Sequence, residues 1–252
     1  MWSFEHWRQQ RILKRSAIDD ALWNTLWSQL PLLHGLTAAE GERLRVLALL
    51  FLHDKVIEPV QGLALDEAAR LRIAVLACLP ILNLGFEWYD GWVEVVVYAD
   101  DFINGRDEVD EAGLIHRHHS VLSGEAWSHG PVIFSWASVL AAGQGDGHNV
   151  VIHEMAHKLD MLNGVANGFP PLHVEMKQQA WSDAFAAAYD DLSRRIANGE
   201  RNEINSYAAT NPAEYFAVCS EYFFDAPWQL LHHYPDVYHQ LSLFYRQTPV
   251  GR

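Results

Sequence analysis

Residues 153–157 read His-Glu-Met-Ala-His, two imidazoles four positions apart with a carboxylate directly after the first. On a helix, positions four apart lie one turn apart on one face, so both rings can reach a single metal ion. Glu154 lies beside them and can hold a water next to the metal instead of binding the metal itself. That is the arrangement of metal-assisted hydrolysis with a glutamate as general base. Val150, Val151 and Ile152 precede the motif, and Met155, Ala156 and Leu159 fill the positions between, so the helix is expected to be buried. Buried ionisable groups need a partner or a metal. With this many histidines and glutamates, five such residues arise by chance in on the order of one chain in twenty, so they need company. Glu154-Met155-Ala156-His157 is also half of a di-iron ExxH pair. No other glutamate of the chain has a histidine three residues on, which removes that reading.

A catalytic zinc takes three protein ligands and leaves one position open. The stretch that begins at Asn211-Pro212 offers Glu214 and Glu221, seven apart and so two turns apart on one helix face. Ala213, Tyr215, Phe216, Ala217, Val218, Phe223 and Phe224 surround them, which turns both carboxylates inward. Glu214 is also the third helical residue after an asparagine N-cap and a first-turn proline, an ordinary capping position. Spacing alone does not choose between the two.

The elements that must position these groups follow from the apolar pattern. Trp7, Ile12 and Leu13 outline a short amphipathic helix, and Ile18, Leu22, Leu26 and Leu30 a second at a spacing of four. Thr37-Ala38-Ala39-Glu40 has the form of a capping box that starts a helix running to Lys55. Asp66 to Leu79 is a further helix, stopped near Pro80. The pattern then changes. Residues 92–98 and 130–136 read as strands, with a charged loop expected over 100–113 and a glycine-rich turn over 141–147. Helices are expected from about residue 147 to 162, over 175–197, from Asn211 to about Phe224, and over the remainder with a break near Pro235. The expectation is an α+β protein with a helical region over 1–85 packed on a catalytic region over 86–252. The strand at 132–136 either offers an edge to a substrate backbone or sits inside the core.

Composition excludes several classes of function. Lys and Arg number 18 against 32 Asp and Glu, a formal charge of −14 with histidine neutral. So acidic a chain is a poor general binder of nucleic acid or anionic lipid, but it suits a protein partner with a basic surface. Half of the residues are apolar and 12% are aromatic, so wholesale disorder is ruled out. Cys78 and Cys219 make no disulfide scaffold and fit a reducing compartment. The first residues, MWSFEHWRQQRILKR, lack the pattern of a signal peptide. The apolar runs Val46–Leu52 and Ile73–Leu82 fall short of the ~20 residues of a membrane span. A soluble, cytoplasmic protein is expected. No P-loop, GxGxxG or CxxC pair points to a nucleotide cofactor. His116, His118 and His119, with Arg117 and more loosely His129, are expected on a solvated loop, and His232-His233 at a helix surface.

HEMAHKLDMLNG together with SYAATNPAEYFAVCSEYFF resembles the Mlc titration factor A family of bacterial zinc peptidases. The likeness extends across most of the chain, through EVVVY at 94–98, GEAW at 124–127 and GPVIFSW at 130–136. It implies a zincin-like metallopeptidase core similar to that of the anthrax lethal factor type, with a small mixed sheet and an active-site helix. It also implies one Zn2+ per chain, with His153, His157 and Glu214 as ligands, Glu154 as general base, and Tyr207 stabilising the oxyanion. Cytoplasmic location, aminopeptidase action on peptides and binding of the glucose-responsive repressor Mlc are implied as well. Glu221 or Asp160 then orients a ligand histidine through its other ring nitrogen, unless either is a plain ion-pair residue. A rival from another class is a regulatory protein that sequesters the repressor with an idle metal site. The intact Glu154 argues against it, since a pure binder has no chemical need for a base.

Overall fold

The computed structural model describes residues 4–100, 102–109, 115–122, 124–126 and 130–251, and the side chains of 7–100 and 130–251. Helices α1 (Phe4–Arg15), α2 (Asp20–Gln29) and α3 (Ala38–Asp54) open the chain. Thr37 and Glu40 form the expected capping box at the start of α3, each side chain meeting the other residue's backbone amide. Strand β1 (Val56–Pro59) follows, an element that the sequence pattern did not announce. Helix α4 (Glu67–Cys78) is capped by Asp66 and is buried on nearly every side, as its run of apolar residues requires. Its Arg72 is buried too and donates to the carbonyls of Val139, Leu140 and Ala142, the last turn of a short helix further on.

Strand β2 (Glu94–Tyr98) comes next, then β3 (Phe102–Val109), β4 (Ile115–Leu122), β5 (Gly124–Ala126) and β6 (Val132–Ser135). One sheet runs β1-β2-β6-β5, with β1, β2 and β6 parallel and β5 antiparallel to β6. The small mixed sheet of the expectation is therefore present. Val95, Val97, Val132 and Phe134 put its buried face into the core. Strand β6 has neighbours on both sides, so it offers no edge; among the described strands β1 and β5 are the outer ones, and β5 lies against the metal-motif helix.

The charged stretch expected as a loop is mostly strand. β3 pairs with β4 from Phe102↔Leu122 to Val109↔Ile115, a separate two-stranded ribbon. Backbone pairing alone satisfies its amides, so it needs no apolar alternation, and Asn104-Gly105 misled as a turn signal. His116, His118 and His119 lie in β4 and not on a loop; their side chains, and all of His129, are outside the described residues.

Helices α5 (Trp136–Ala141), α6 (Val150–Asp160), α7 (Gln178–Ala197), α8 (Pro212–Asp225), α9 (Pro227–His233) and α10 (Pro235–Tyr245) complete the chain. His232 is exposed at the end of α9. One continuous apolar cluster runs from Ile18 to Tyr245. In it Trp181 of α7 stacks on Phe185 with ring centroids 4.3 Å apart and meets Phe216 of α8 and Phe244 of α10, so aromatic packing holds α8 from behind. No helix among the described residues is long and apolar enough to cross a membrane.

Two of these helices, α6 and α8, lie against each other and run in opposite directions: Asn149 meets Glu221, while His153 further along α6 meets Glu214 nearer the start of α8. Gly168, in the segment between α6 and α7, touches the first turn of α8. Its φ is +79°, and a Cβ there would stand 2.4 Å from the carbonyl oxygen of Pro212. Backbone strain and a backbone clash coincide, so Gly168→Ala is expected to lower the unfolding free energy by roughly 2–3 kcal/mol in urea denaturation.

Candidate metal centre

Asn149 starts α6: its side chain accepts from the Ile152 amide at 3.1 Å and leaves its own backbone amide for another partner. Nine of the eleven residues of α6, all but Val150 and His157, are buried, and His153 and Glu154 are among them. His157 is one turn further along, its ring centroid 4.8 Å from that of His153. On α8, Asn211 caps by accepting from the Glu214 amide at 3.0 Å. The Glu214 carboxylate is therefore not needed for capping, and it turns to the imidazoles. Its Oε2 lies 3.0 Å from His153 Nε2 and 3.5 Å from His157 Nε2, and the two Nε2 atoms are 3.2 Å apart.

Those spacings suit a metal. Atoms bound at 2.0–2.1 Å around a tetrahedral centre lie about 3.3 Å from one another. Two imidazole nitrogens and one carboxylate oxygen are also a suitable donor set for a divalent transition metal. Among the described residues His153, His157 and Glu214 are the one group of histidine, cysteine or acidic side chains close enough to hold an ion.

Glu221 sits behind His153. Its Oε1 accepts from His153 Nδ1 at 2.8 Å and its Oε2 accepts from the Asn149 amide at 2.5 Å. A carboxylate only accepts, so Nδ1 carries the proton and Nε2 is turned toward Glu214 and His157. Burial works to lower the His153 pKa, but the hydrogen bonds that Glu214 and Glu221 accept from its ring outweigh it and raise it well above the ordinary histidine value. Burial works to raise the Glu214 pKa, and the hydrogen bonds of His153 and His157 outweigh it, holding this carboxyl well below the usual range.

Asp160, the other residue considered for orienting a histidine, does something else. Its Oδ2 accepts from the amides of Asn167 and Gly168 at 2.8 and 2.7 Å, and Nδ1 of His157 has no hydrogen-bond partner among the described residues. Tyr207 stands at the rim in a 3₁₀ turn, Ser206–Ala209, with its ring centroid 6.1 Å from His153 and about half of its surface exposed. Burial of its hydroxyl and the charges of Glu214 and Glu154 push its pKa up, so it is a hydrogen-bond donor at neutral pH.

Three residues escaped the sequence pattern. Tyr222 accepts from the Asn205 amide, two residues before Tyr207, at 3.2 Å. Lys158 is buried and donates to the Gly130 carbonyl at 2.9 Å; burial lowers its pKa to about 8. Asp225 accepts from the amides of Gly145 and Gly147 at 3.1 and 2.9 Å. Glu221 and Asp225 are four apart in an otherwise apolar helix, a signal that something polar must meet that face, but nothing in the chain order says what.

Comparison with known proteins covers nearly the whole chain. The family described as glucose-regulated metallo-peptidase M90 matches residues 4–246. A protein of Salmonella arizonae named Mlc titration factor A is 40% identical over 250 residues, 98% of this chain and 97% of its own. Its namesake from Escherichia fergusonii is 40% identical over 225 residues, 88% of this chain and 85% of its own. One from Escherichia coli is 38% identical over 250 residues, covering 98% and 92%.

The Asp225 carboxyl yields a pH test. Burial pushes its pKa up to about 6, against the opposing pull of the Gly147 and Gly145 amides. A carboxyl whose folded pKa lies above its unfolded one contributes stability below the unfolded pKa and loses it as pH rises through about 6. Asp225→Asn keeps an acceptor oxygen and never ionises. Urea unfolding of both metal-free proteins should show the variant gaining on the wild type between pH 4 and pH 8, by on the order of 2 kcal/mol. An unchanged difference between those two pH values would contradict a carboxyl that titrates there.

Proposed function

This chain belongs to the glucose-regulated metallo-peptidase M90 family, and from that premise we propose that it is a zinc-dependent peptidase whose metal is held by His153, His157 and Glu214. The observation that supports this most directly is the 3.0–3.5 Å spacing of the three ligand atoms. Zinc bound there would polarise the scissile carbonyl and make a neighbouring water acidic enough to attack at neutral pH. Glu154 is the general base: it follows His153 on α6, is buried beside the ligands, takes a proton from the attacking water and passes it to the leaving amine. Tyr207 donates a hydrogen bond to the carbonyl oxygen as negative charge develops on it. Glu221 keeps the proton of His153 on Nδ1, so that Nε2 presents its lone pair.

Aminopeptidase action on short peptides is the finer form of this proposal. A cytoplasmic setting goes with it, consistent with two free, buried cysteines. The name of the relatives favours a second activity, binding of the repressor Mlc. A formal charge of −14 suits docking of a basic, DNA-binding partner on a surface away from the metal centre.

Protein purified without a metal-affinity tag should contain one zinc per chain by elemental analysis, and Glu214→Ala should lose most of it. Wild-type protein without a transition metal, or Glu214→Ala with full zinc content, would remove Glu214 from the ligand set.

Glu154→Gln separates catalysis from binding. It keeps the shape and should keep the metal, but an amide cannot accept the proton, so hydrolysis of aminoacyl and peptide substrates should fall to near background. Tyr207→Phe should cost less, about 2–4 kcal/mol in transition-state stabilisation. Repressor binding, measured alongside, should survive Glu154→Gln. Wild-type cleavage rates in that variant would require a different base. Tight repressor binding by a wild-type protein that cleaves nothing would leave the non-catalytic, repressor-sequestering role.

A further inference from the structure

Asp160 is the last residue of α6 and Asp225 the last residue of α8. A carboxylate at a helix C-terminus faces the negative end of the helix dipole, so neither group helps the helix that carries it. Both are buried, Asp160 fully and Asp225 to 6% exposure. Each spends one oxygen on two backbone amides and leaves the other oxygen without a hydrogen-bond partner among the described residues. Such groups cost stability, and their placement shows what they secure.

The amides held by Asp225, those of Gly145 and Gly147, belong to the loop that leads into α6. Gly147 has a φ of +84° and packs so tightly on Tyr222 of α8 that a Cβ would stand 2.6 Å from its ring. The amides held by Asp160, those of Asn167 and Gly168, belong to the loop that lies over the first turn of α8. The Gly168 carbonyl also accepts from the Trp181 indole at 3.1 Å. So the end of each ligand-bearing helix fastens the loop at the beginning of the other. The two histidines lie on one of these helices and Glu214 on the other.

We infer that Asp160 and Asp225 are positioning residues for the metal centre, a reciprocal pair of clasps that sets how far Glu214 stands from His153 and His157. The inference rests on the metal site proposed above. It adds to the Glu221 contact, which orients one ring and holds the cap of α6 mid-way along α8; the clasps hold the two ends of the helix pair. Their action is through an acceptor oxygen at a fixed place, so an asparagine at either position should serve and an alanine should not.

The experiment compares wild type with Asp225→Ala, Asp225→Asn, Asp160→Ala and Asp160→Asn. Zinc affinity is measured by competition with a chromophoric chelator, and the visible absorption of the cobalt-substituted proteins reports ligand geometry. Thermal unfolding of the metal-free proteins is recorded in parallel. Leu44→Ala, a cavity in α3 away from both helices, is the control for general destabilisation. Each alanine variant should bind zinc about tenfold or more weakly and show an altered cobalt spectrum. The asparagine variants should stay within about threefold of wild type with its spectrum, and Leu44→Ala should lose thermal stability alone. Should an alanine variant fail to fold, Asp225→Ser and Asp160→Ser, too short to reach the amides, carry the same comparison. Alanine or serine variants that lose thermal stability but keep wild-type zinc affinity and spectrum would overturn the inference, as would asparagine variants as weak as alanine. A wild-type protein that binds no zinc would instead overturn the metal reading on which the inference rests.

Discussion

The Glu221 carboxylate joins the two helices on which the candidate metal centre depends. One oxygen takes the Nδ1 proton of His153, and the other takes the backbone amide at the cap of α6. The same group thus orients a side chain and anchors the helix that carries it. Without it, a buried imidazole would choose its tautomer by chance, and one of the free amides at the start of α6 would lie buried unpaired. Its charge also helps hold His153 against the desolvation that would otherwise lower its affinity for a proton.

Around that contact, α8 acts as the frame. Glu214, Glu221, Tyr222 and Asp225 all project from this helix, toward the two imidazoles, the cap of α6, the turn before Tyr207 and the glycine loop. Three carboxylates in one buried helix are expensive, and α8 tolerates them because its other faces are packed with aromatic residues. Phe216 meets Trp181, and Phe223 and Phe224 meet Tyr245. Apolar packing supplies the stability, while the polar face supplies geometry. The buried α4 with its Arg72 plays a similar supporting part, tying the end of α5 to the helical first half of the chain.

Helix starts were legible one residue at a time. Thr37, Asp66, Asn211 and the HExxH spacing each signal through local chemistry, because a cap or an i,i+4 pair needs only neighbours in sequence. The two-histidine face of α6 and the inward turn of Glu214 and Glu221 were readable for the same reason, from polar groups set among apolar ones. The elements that failed to show were those stabilised by distant partners. Strand β1 is only four residues long and exists because β2 lies beside it, and the charged β3 pairs with β4 with no apolar alternation to announce it.

The choice between Asp160 and Glu221 marks the same boundary. Asp160 stands three residues after His157 on the motif helix itself, and Glu221 two turns after Glu214 on a helix more than fifty residues away in sequence. Only the packing of α6 against α8 put Glu221 on Nδ1 of His153 and sent Asp160 to the amides of Asn167 and Gly168. Residue types and local periods therefore determined the helices and which side chains can do chemistry. Tertiary structure decided which of them meet, because a hydrogen bond across helices depends on their relative position and direction, and no local pattern encodes either.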